Sequence, residues 1–250
     1  VTGVQTCALP ICVATILVKQ STGERAVFFE RSTATEPEFL DTHKQLIGSA
    51  YILHINGRHR QLMRSAMAVA KEVGTIISLD GGAQRYDEDM KPITEASHIV
   101  IVARDYAEKY TGTTNLKEAC RIIHERGSCI AGVTDGANGS YFVWPDGTFY
   151  RCEPFTQSTV VDTTGAGDSF HGAFLANLVY TINHMKGQDT TSTTKHDRAS
   201  IHAVELLKAC AHSDLEKAAI FASAVASLNT QGIGGRSPLP TLKSVQELIG

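Results

Sequence analysis

Apolar positions along the middle of the chain follow two rhythms in turn, and that alternation predicts strands and helices. Short β-branched and apolar runs at residues 51–56, 75–79, 99–102 and 129–133 read as strands. Helix-periodic segments fall between them at residues 61–74 and 116–126. In the first of these, Leu62, Ala66, Ala68, Val69 and Val73 form the apolar side and Gly74 is the stop. Strands that are apolar throughout, spaced by helices, predict a mainly parallel sheet covered on both faces. The expected fold class is α/β, a three-layer α/β/α sandwich. Two hairpins flank this region: residues 14–18 with 25–30 around Ser21-Thr22-Gly23-Glu24, and 141–144 with 148–151 around Pro145-Asp146-Gly147. Further helices are predicted from Phe170 onward and at residues 215–228.

Composition changes this picture little. The 250 residues are 42% hydrophobic and 20% charged, with a formal net charge of −3. No segment approaches the roughly twenty apolar residues of a membrane helix. A near-neutral, scattered charge pattern gives no reason to expect nucleic acid or a membrane as partner. The six cysteines have no Cys-x-x-Cys spacing and no histidine pairing, so they read as reduced thiols rather than metal ligands, and the expected location is cytoplasmic. His171 reads as packing or surface.

The chemistry concentrates in Asp162-Thr163-Thr164-Gly165-Ala166-Gly167-Asp168-Ser169-Phe170. A β-branched stretch runs into this string and an apolar helical run leaves it. The glycines therefore sit where a loop becomes a helix N-terminus. Such a turn aims unpaired N–H groups and the positive end of a helix dipole at one point, which suits an anion. Asp168 lies in the same turn. An anion hole beside a carboxylate is what phosphoryl transfer to a hydroxyl requires. A Walker A loop needs Gly-Lys-Ser/Thr where this chain has Gly-Asp-Ser, and a dinucleotide fingerprint needs a glycine where Phe170 stands. The plainer alternative is a glycine-rich helix start that Asp168 merely caps.

Ligands in such sheets bind near strand C-terminal ends, where Asp80, Thr134 and Asp162 fall, and two other strings are informative. Thr134-Asp135-Gly136-Ala137-Asn138-Gly139-Ser140 follows one strand; alone, it is as readily a turn between strands. Asn229-Thr230-Gln231-Gly232-Ile233-Gly234-Gly235 follows a helix rich in Ala218, Ala219, Ala222, Ala224 and Ala226. That pattern fits a planar base against small residues, and equally close helix packing with a glycine stop.

The full string at 162–174 resembles the signature of the PfkB (ribokinase-like) carbohydrate kinase family, over a stretch from about Ala14 to the C-terminus. The resemblance implies that Asp168 is the catalytic base and that the amides of Gly165, Ala166 and Gly167 form the anion hole. It implies ATP and Mg²⁺ as cofactors, with Thr134, Gly136, Gly139, Asn229 and Gly234 beside the nucleotide. It also implies a monovalent cation, K⁺ being the candidate, near Asp162 and Thr164. The expected acceptor is a hydroxyl of a sugar or related small molecule, with a homodimer as the candidate assembly. The alternatives are a nucleoside or vitamin-precursor kinase of the same family, or a non-catalytic nucleotide-binding pseudokinase. Many family members carry Asn-x-x-Glu after the strand at 99–102. Here Ala103 and Tyr106 stand in those places; ketohexokinase- and sulfofructose kinase-like branches also depart from the pattern there, and Asp105 and Glu108 are the nearest carboxylates.

The ends of the domain are read from the same comparison. Residues 1–11 resemble a translated sequencing adapter and are set apart from a partial kinase domain at 12–250. The family's opening strand, its substrate-binding aspartate and part of its lid are not visible, so the expectation is an N-terminally truncated chain, inactive by itself. The polar, Thr/Ser-rich residues 185–203 read as a surface insertion.

Overall fold

The computed structural model describes residues 13–21, 25–30, 36–83, 85–157, 159–188 and 203–250. The segment set apart at 1–11, the hairpin tip at 22–24 and most of the polar insertion lie outside them. Strands β1 (Val13–Val18) and β2 (Arg25–Glu30) pair antiparallel as the first predicted hairpin. Helix α1 (Asp41–Ser49) and β3 (Ile52–Ile55) follow, then α2 (Arg60–Val73), β4 (Ile76–Asp80), α3 (Lys91–Glu95) and β5 (Ile99–Ala103). Next come α4 (Arg104–Thr111), α5 (Leu116–Glu125), β6 (Ile130–Thr134), β7 (Ser140–Val143) and β8 (Phe149–Cys152). The chain closes with α6 (Ala166–Gln188), α7 (Ala203–Ala209), α8 (His212–Asn229) and α9 (Leu242–Ile249). Because α6 runs on to Gln188, Met185 and the three residues after it are helical, although the sequence assigned them to the insertion.

Six strands form one sheet in the order β3-β4-β5-β6-β7-β8. The pairs from β3 to β6 are parallel, and β7 and β8 add antiparallel at one edge. Strand side chains alternate between faces, and both faces are buried. In β5, Val100 and Val102 enter one core while Ile99 and Ile101 enter the other; in β4, Ile77 and Leu79 oppose Ile76. The first core takes residues from α1, α2, α4 and α5, and the second from α6, α7 and α8. That is the three-layer sandwich, and it explains why the central strands are apolar at every position instead of every second one.

One helix face differs from the sequence expectation. In α2 the buried residues are Met63, Ala66, Met67 and Ala70, while Leu62 and Val69 are only partly covered and Ala68 is exposed. The i, i+3, i+4, i+7 spacing is carried by two methionines, whose flexible thioethers fill the space under β3 and β4. Gly74 ends the helix as expected, at φ +76°.

The second core is aromatic at its centre. Phe174 is fully buried and stacks on Phe142 with ring centroids 5.7 Å apart. Phe174→Ala should cost about 3–5 kcal/mol. Leu46→Ala, at a position 65% exposed, should change stability by less than about 0.5 kcal/mol. Urea unfolding of the two variants checks this, and equal midpoints would contradict the placement of Phe174 in the core.

Candidate functional site: a glycine loop at the start of α6

Residues 159–165 carry no regular element, and their polar groups are held by a second loop. Val161 and Asp162 both donate their amides to the Thr230 carbonyl, at 2.8 and 3.2 Å. Asp162 is buried. Its Oδ1 accepts the Thr164 amide at 2.8 Å and its Oδ2 accepts the Gly234 amide at 2.9 Å. One carboxylate thus joins 162–164 to 229–235. Gly165 then turns the chain at φ +80°, and a Cβ there would stand 2.5 Å from the Gly235 Cα. Both the left-handed backbone and the close approach require glycine.

Helix α6 starts directly after this turn. The Ala166 amide donates to the Thr163 carbonyl at 3.3 Å and that of Ser169 to Gly165 at 2.8 Å. For Gly167 and Asp168 no backbone acceptor is present among the described residues. These two are the first-turn donors left open at the positive end of a 23-residue helix. Gly167 is exposed, has no positive φ, and a Cβ there would meet nothing within 4 Å. The space above it is open to an incoming group. Asp168 is exposed in the same turn.

Beneath the loop lie two buried oxygens without a hydrogen-bond partner among the described residues, Thr164 Oγ1 and Asn229 Oδ1. Asn229 is fully buried, and its Nδ2 donates to the Thr164 carbonyl at 3.2 Å. Buried acceptors of this kind cost free energy unless something satisfies them. Among the described residues no group of three or more His, Cys, Asp or Glu side chains gathers here or elsewhere. A hydroxyl, an amide oxygen and a single nearby carboxylate fit a cation of low charge held by oxygen ligands.

Thr134 ends β6, and its hydroxyl reaches toward the Val102 carbonyl at 3.5 Å. Gly136 and Gly139 follow at φ +53° and +88°, and a Cβ on Gly139 would overlap the Cys152 carbonyl. From there the chain is stitched to α8. The hydroxyl of Ser227 donates to the Phe155 carbonyl at 2.7 Å, Gln157 Nε2 donates to Ser227 Oγ at 2.9 Å, and Gln231 Nε2 donates to Gln157 Oε1 at 2.8 Å. The structure therefore brings Asp162, Thr164, Gly165, Ala166, Gly167 and Asp168 together with Asn229 and Gly234. Thr134, Gly136 and Gly139 connect to that group through residues 152–157.

Three features of the site were not legible beforehand. Gly235 lies directly under Gly165. His171 is buried: its Nδ1 is 2.8 Å from the Gly167 carbonyl, its Nε2 is 3.0 Å from that of Ile101, and Asp80 Oδ1 lies 3.7 Å away. It ties the start of α6 to the end of β5, and no local signal marks a partner 70 residues distant. Tyr106, in a place where the resemblance led to the expectation of a glutamate, points into the core. It is fully buried, its hydroxyl sits 2.7 Å from Thr94 Oγ1, and burial pushes its pKa up to about 12. It stays neutral and adds no charge to the cleft.

Comparison with known proteins agrees with this architecture. The model of the pfkB family carbohydrate kinases matches residues 4–242, and the chain belongs to that family. Probable fructokinase-5 of Arabidopsis thaliana is 26% identical over 245 residues, covering 91% of this chain and 67% of that protein. Probable fructokinase-2 of the same plant is 29% identical over 180 residues, covering 64% of this chain and 53% of the relative. A cytidine kinase of Thermococcus kodakarensis is 34% identical over 89 residues, 35% of this chain and 31% of the relative. The chain thus spans from about a third to two thirds of these relatives. Among solved structures, ribokinase from Giardia lamblia superposes with a TM-score of 0.77 at 17% identity, covering 98% of this chain and 73% of that one. Fructokinase from Vibrio cholerae, bound to fructose, ADP and calcium, does so at 0.66 and 19%, covering 95% and 73%. The fold is ribokinase-like.

The two outer glycines of the turn should respond in opposite ways. Gly165→Ala meets both a positive φ and the Gly235 backbone, so it should lose at least about 1–2 kcal/mol. Gly167→Val faces open space, so its melting temperature should stay within about 3 °C of wild type. Thermal denaturation of the pair distinguishes them. A Gly167→Val protein as unstable as Gly165→Ala would mean that the space above Gly167 is not open.

Proposed function

We propose that the chain forms the nucleotide- and base-bearing part of a kinase that transfers the γ-phosphoryl group of ATP to a sugar hydroxyl. The observation that carries this reading is the start of α6. An exposed carboxylate, Asp168, shares one helical turn with the open amides of Gly167 and Asp168, on a loop that Asp162 fixes in place. Fructose and ADP in the Vibrio cholerae protein support the choice of a sugar and a nucleotide as ligands.

In this reading the acceptor hydroxyl meets Asp168, which orients it and takes its proton as the bond to phosphorus forms. Charge developing on the transferred group falls on the amides of Gly165, Ala166 and Gly167, the Ala166 amide releasing its long bond to Thr163 to take part. The turn at Thr134, Gly136 and Gly139 and the loop at 229–235 flank the nucleotide. Asn229 and Gly234 act through the backbone they hold, because the first is buried and the amide of the second is taken by Asp162. Mg²⁺ bound with the nucleotide would supply positive charge against its phosphates. Asp162, Thr164 Oγ1 and Asn229 Oδ1 are the groups that would hold K⁺ and keep the loop firm. Positioning matters more than base strength when the transition state is loose.

A nucleoside acceptor is the second reading, favoured by the higher identity to the cytidine kinase over a short stretch. ATP turnover over fructose, ribose, cytidine and adenosine separates the two. In whichever assay is positive, Asp168→Asn should lower kcat by about 10²–10⁴-fold, the range of a positioned general base, and leave ATP affinity within about threefold. Turnover in that variant close to wild type would remove Asp168 from the chemistry.

A further inference from the structure

The C-terminal ends of β5 and β6 carry an ion pair that the phosphotransfer reading does not use. The parallel register pairs Ala103 with Thr134, so Arg104 and Asp135 are the next residues out on neighbouring central strands. Arg104 Nε donates to Asp135 Oδ1 at 2.7 Å and Nη2 donates to Oδ2 at 2.5 Å. The two parallel bonds match a planar guanidinium to a carboxylate. Glu108, one turn along α4, stands 3.7 Å from Nη1 and keeps the guanidinium on that side. Both carboxylates hold the Arg104 pKa above its ordinary value, Asp135 most strongly.

Asp135 also organises the turn that follows it. Its Oδ2 accepts Asn138 Nδ2 at 3.0 Å, its carbonyl accepts the Asn138 amide at 3.0 Å, and its amide donates to the Gly139 carbonyl at 2.9 Å. The Asp135 side chain is 10% exposed and that of Arg104 45% exposed, so the pair is half shielded from water. Screening of an exposed pair usually leaves it little to contribute. This one has a specific load, since a turn with two positive-φ glycines explores many conformations when nothing restrains it.

We propose that Arg104 is a positioning residue for the nucleotide. Through its double bond to Asp135 it holds the 134–139 turn in the conformation that receives ATP. The proposal rests on the ATP reading above. Without the pair, the turn must be ordered when ATP binds, and that ordering cost appears as weaker affinity. No contact joins either residue to Asp168 among the described residues, so the transfer step itself is spared.

The test measures ATP affinity by displacement of a fluorescent nucleotide, together with thermal melts and the KM for the acceptor. Arg104→Met and Asp135→Asn should each weaken ATP by about three- to tenfold. The acceptor KM should not move, and melting temperatures should shift by less than about 3 °C. Arg104→Lys, which keeps the charge and a single bond to Asp135 while Asp135 still accepts from Asn138, should recover part of the loss, which a general loss of stability would not allow. Unchanged ATP affinity in Arg104→Met, or a parallel rise in both KM values, overturns the proposal while leaving the kinase reading in place. A wild-type protein that binds no ATP removes that reading and the proposal with it.

Discussion

The site depends on the carboxylate of Asp162. Its two oxygens accept amides from Thr164, two residues ahead, and Gly234, 72 residues ahead. The first bond shapes the approach to the glycine turn, and the second sets that turn against the loop behind α8. Neither loop has a ladder of its own to satisfy its backbone, so a buried acceptor has to do it. The contact of Gly165 with Gly235 follows from this, because the Gly235 backbone occupies the place that a side chain on Gly165 would need. Asn229 completes the arrangement from the end of α8 by donating to the Thr164 carbonyl. Helix α6 therefore begins at a place determined by two long-range bonds and one local one.

That arrangement divides the labour among the glycines. Gly165 is glycine for the sake of the fold, as its φ and its neighbour both demand. Gly167 is glycine although the fold makes no such demand of it; its surroundings are open and its backbone conformation is one that any residue adopts. In the reading proposed above, a position that tolerates a side chain and lacks one, above open amide donors, leaves room for what approaches from outside. His171 reinforces the same turn from below, through the Gly167 and Ile101 carbonyls, so the donors rest on a rigid element while their upper side stays accessible.

The sequence and the structure part company according to the range of the interactions involved. Strands β4 to β6 were legible because strands buried on both faces are largely apolar, β3 by its apolar run although His54 is exposed, and the two hairpins because Gly23 and Gly147 with their neighbours mark turns. The start of α6 was legible because Asp-Thr-Thr-Gly-Ala-Gly-Asp is a contiguous string. Helix α4 was not, since only Tyr106, Ala107 and Tyr110 of its eight residues are buried. The face of α2 was legible in part: Ala66, Val69 and Val73 pack toward the core as expected, but Met63, Met67 and Ala70 are its buried centre, Leu62 is only partly covered and Ala68 is exposed. The pairing of Arg104 with Asp135, the place of Gly235 and the burial of His171 all join residues far apart in the chain. No local pattern announces such contacts; topology brings the strand ends together first.

The electrostatics of the cleft follow from the same geometry. A polyanionic nucleotide, as proposed here, is repelled by uncompensated carboxylates. Asp162 is turned inward onto two amides, Asp135 is covered by a guanidinium, and Tyr106 is a neutral buried ring. Asp80, at the end of β4, accepts the Gly82 amide at 2.6 Å and faces His171. Each of these groups is spoken for by a donor from the protein. Asp168 is different: it is exposed, it has no side-chain cation beside it among the described residues, and it sits where helix and loop aim their donors. A carboxylate left unneutralised beside an anion-binding turn opposes binding of the anion. Under the reading proposed above, its task would be to engage a second, neutral molecule through a proton, and a hydroxyl-bearing acceptor meets that requirement.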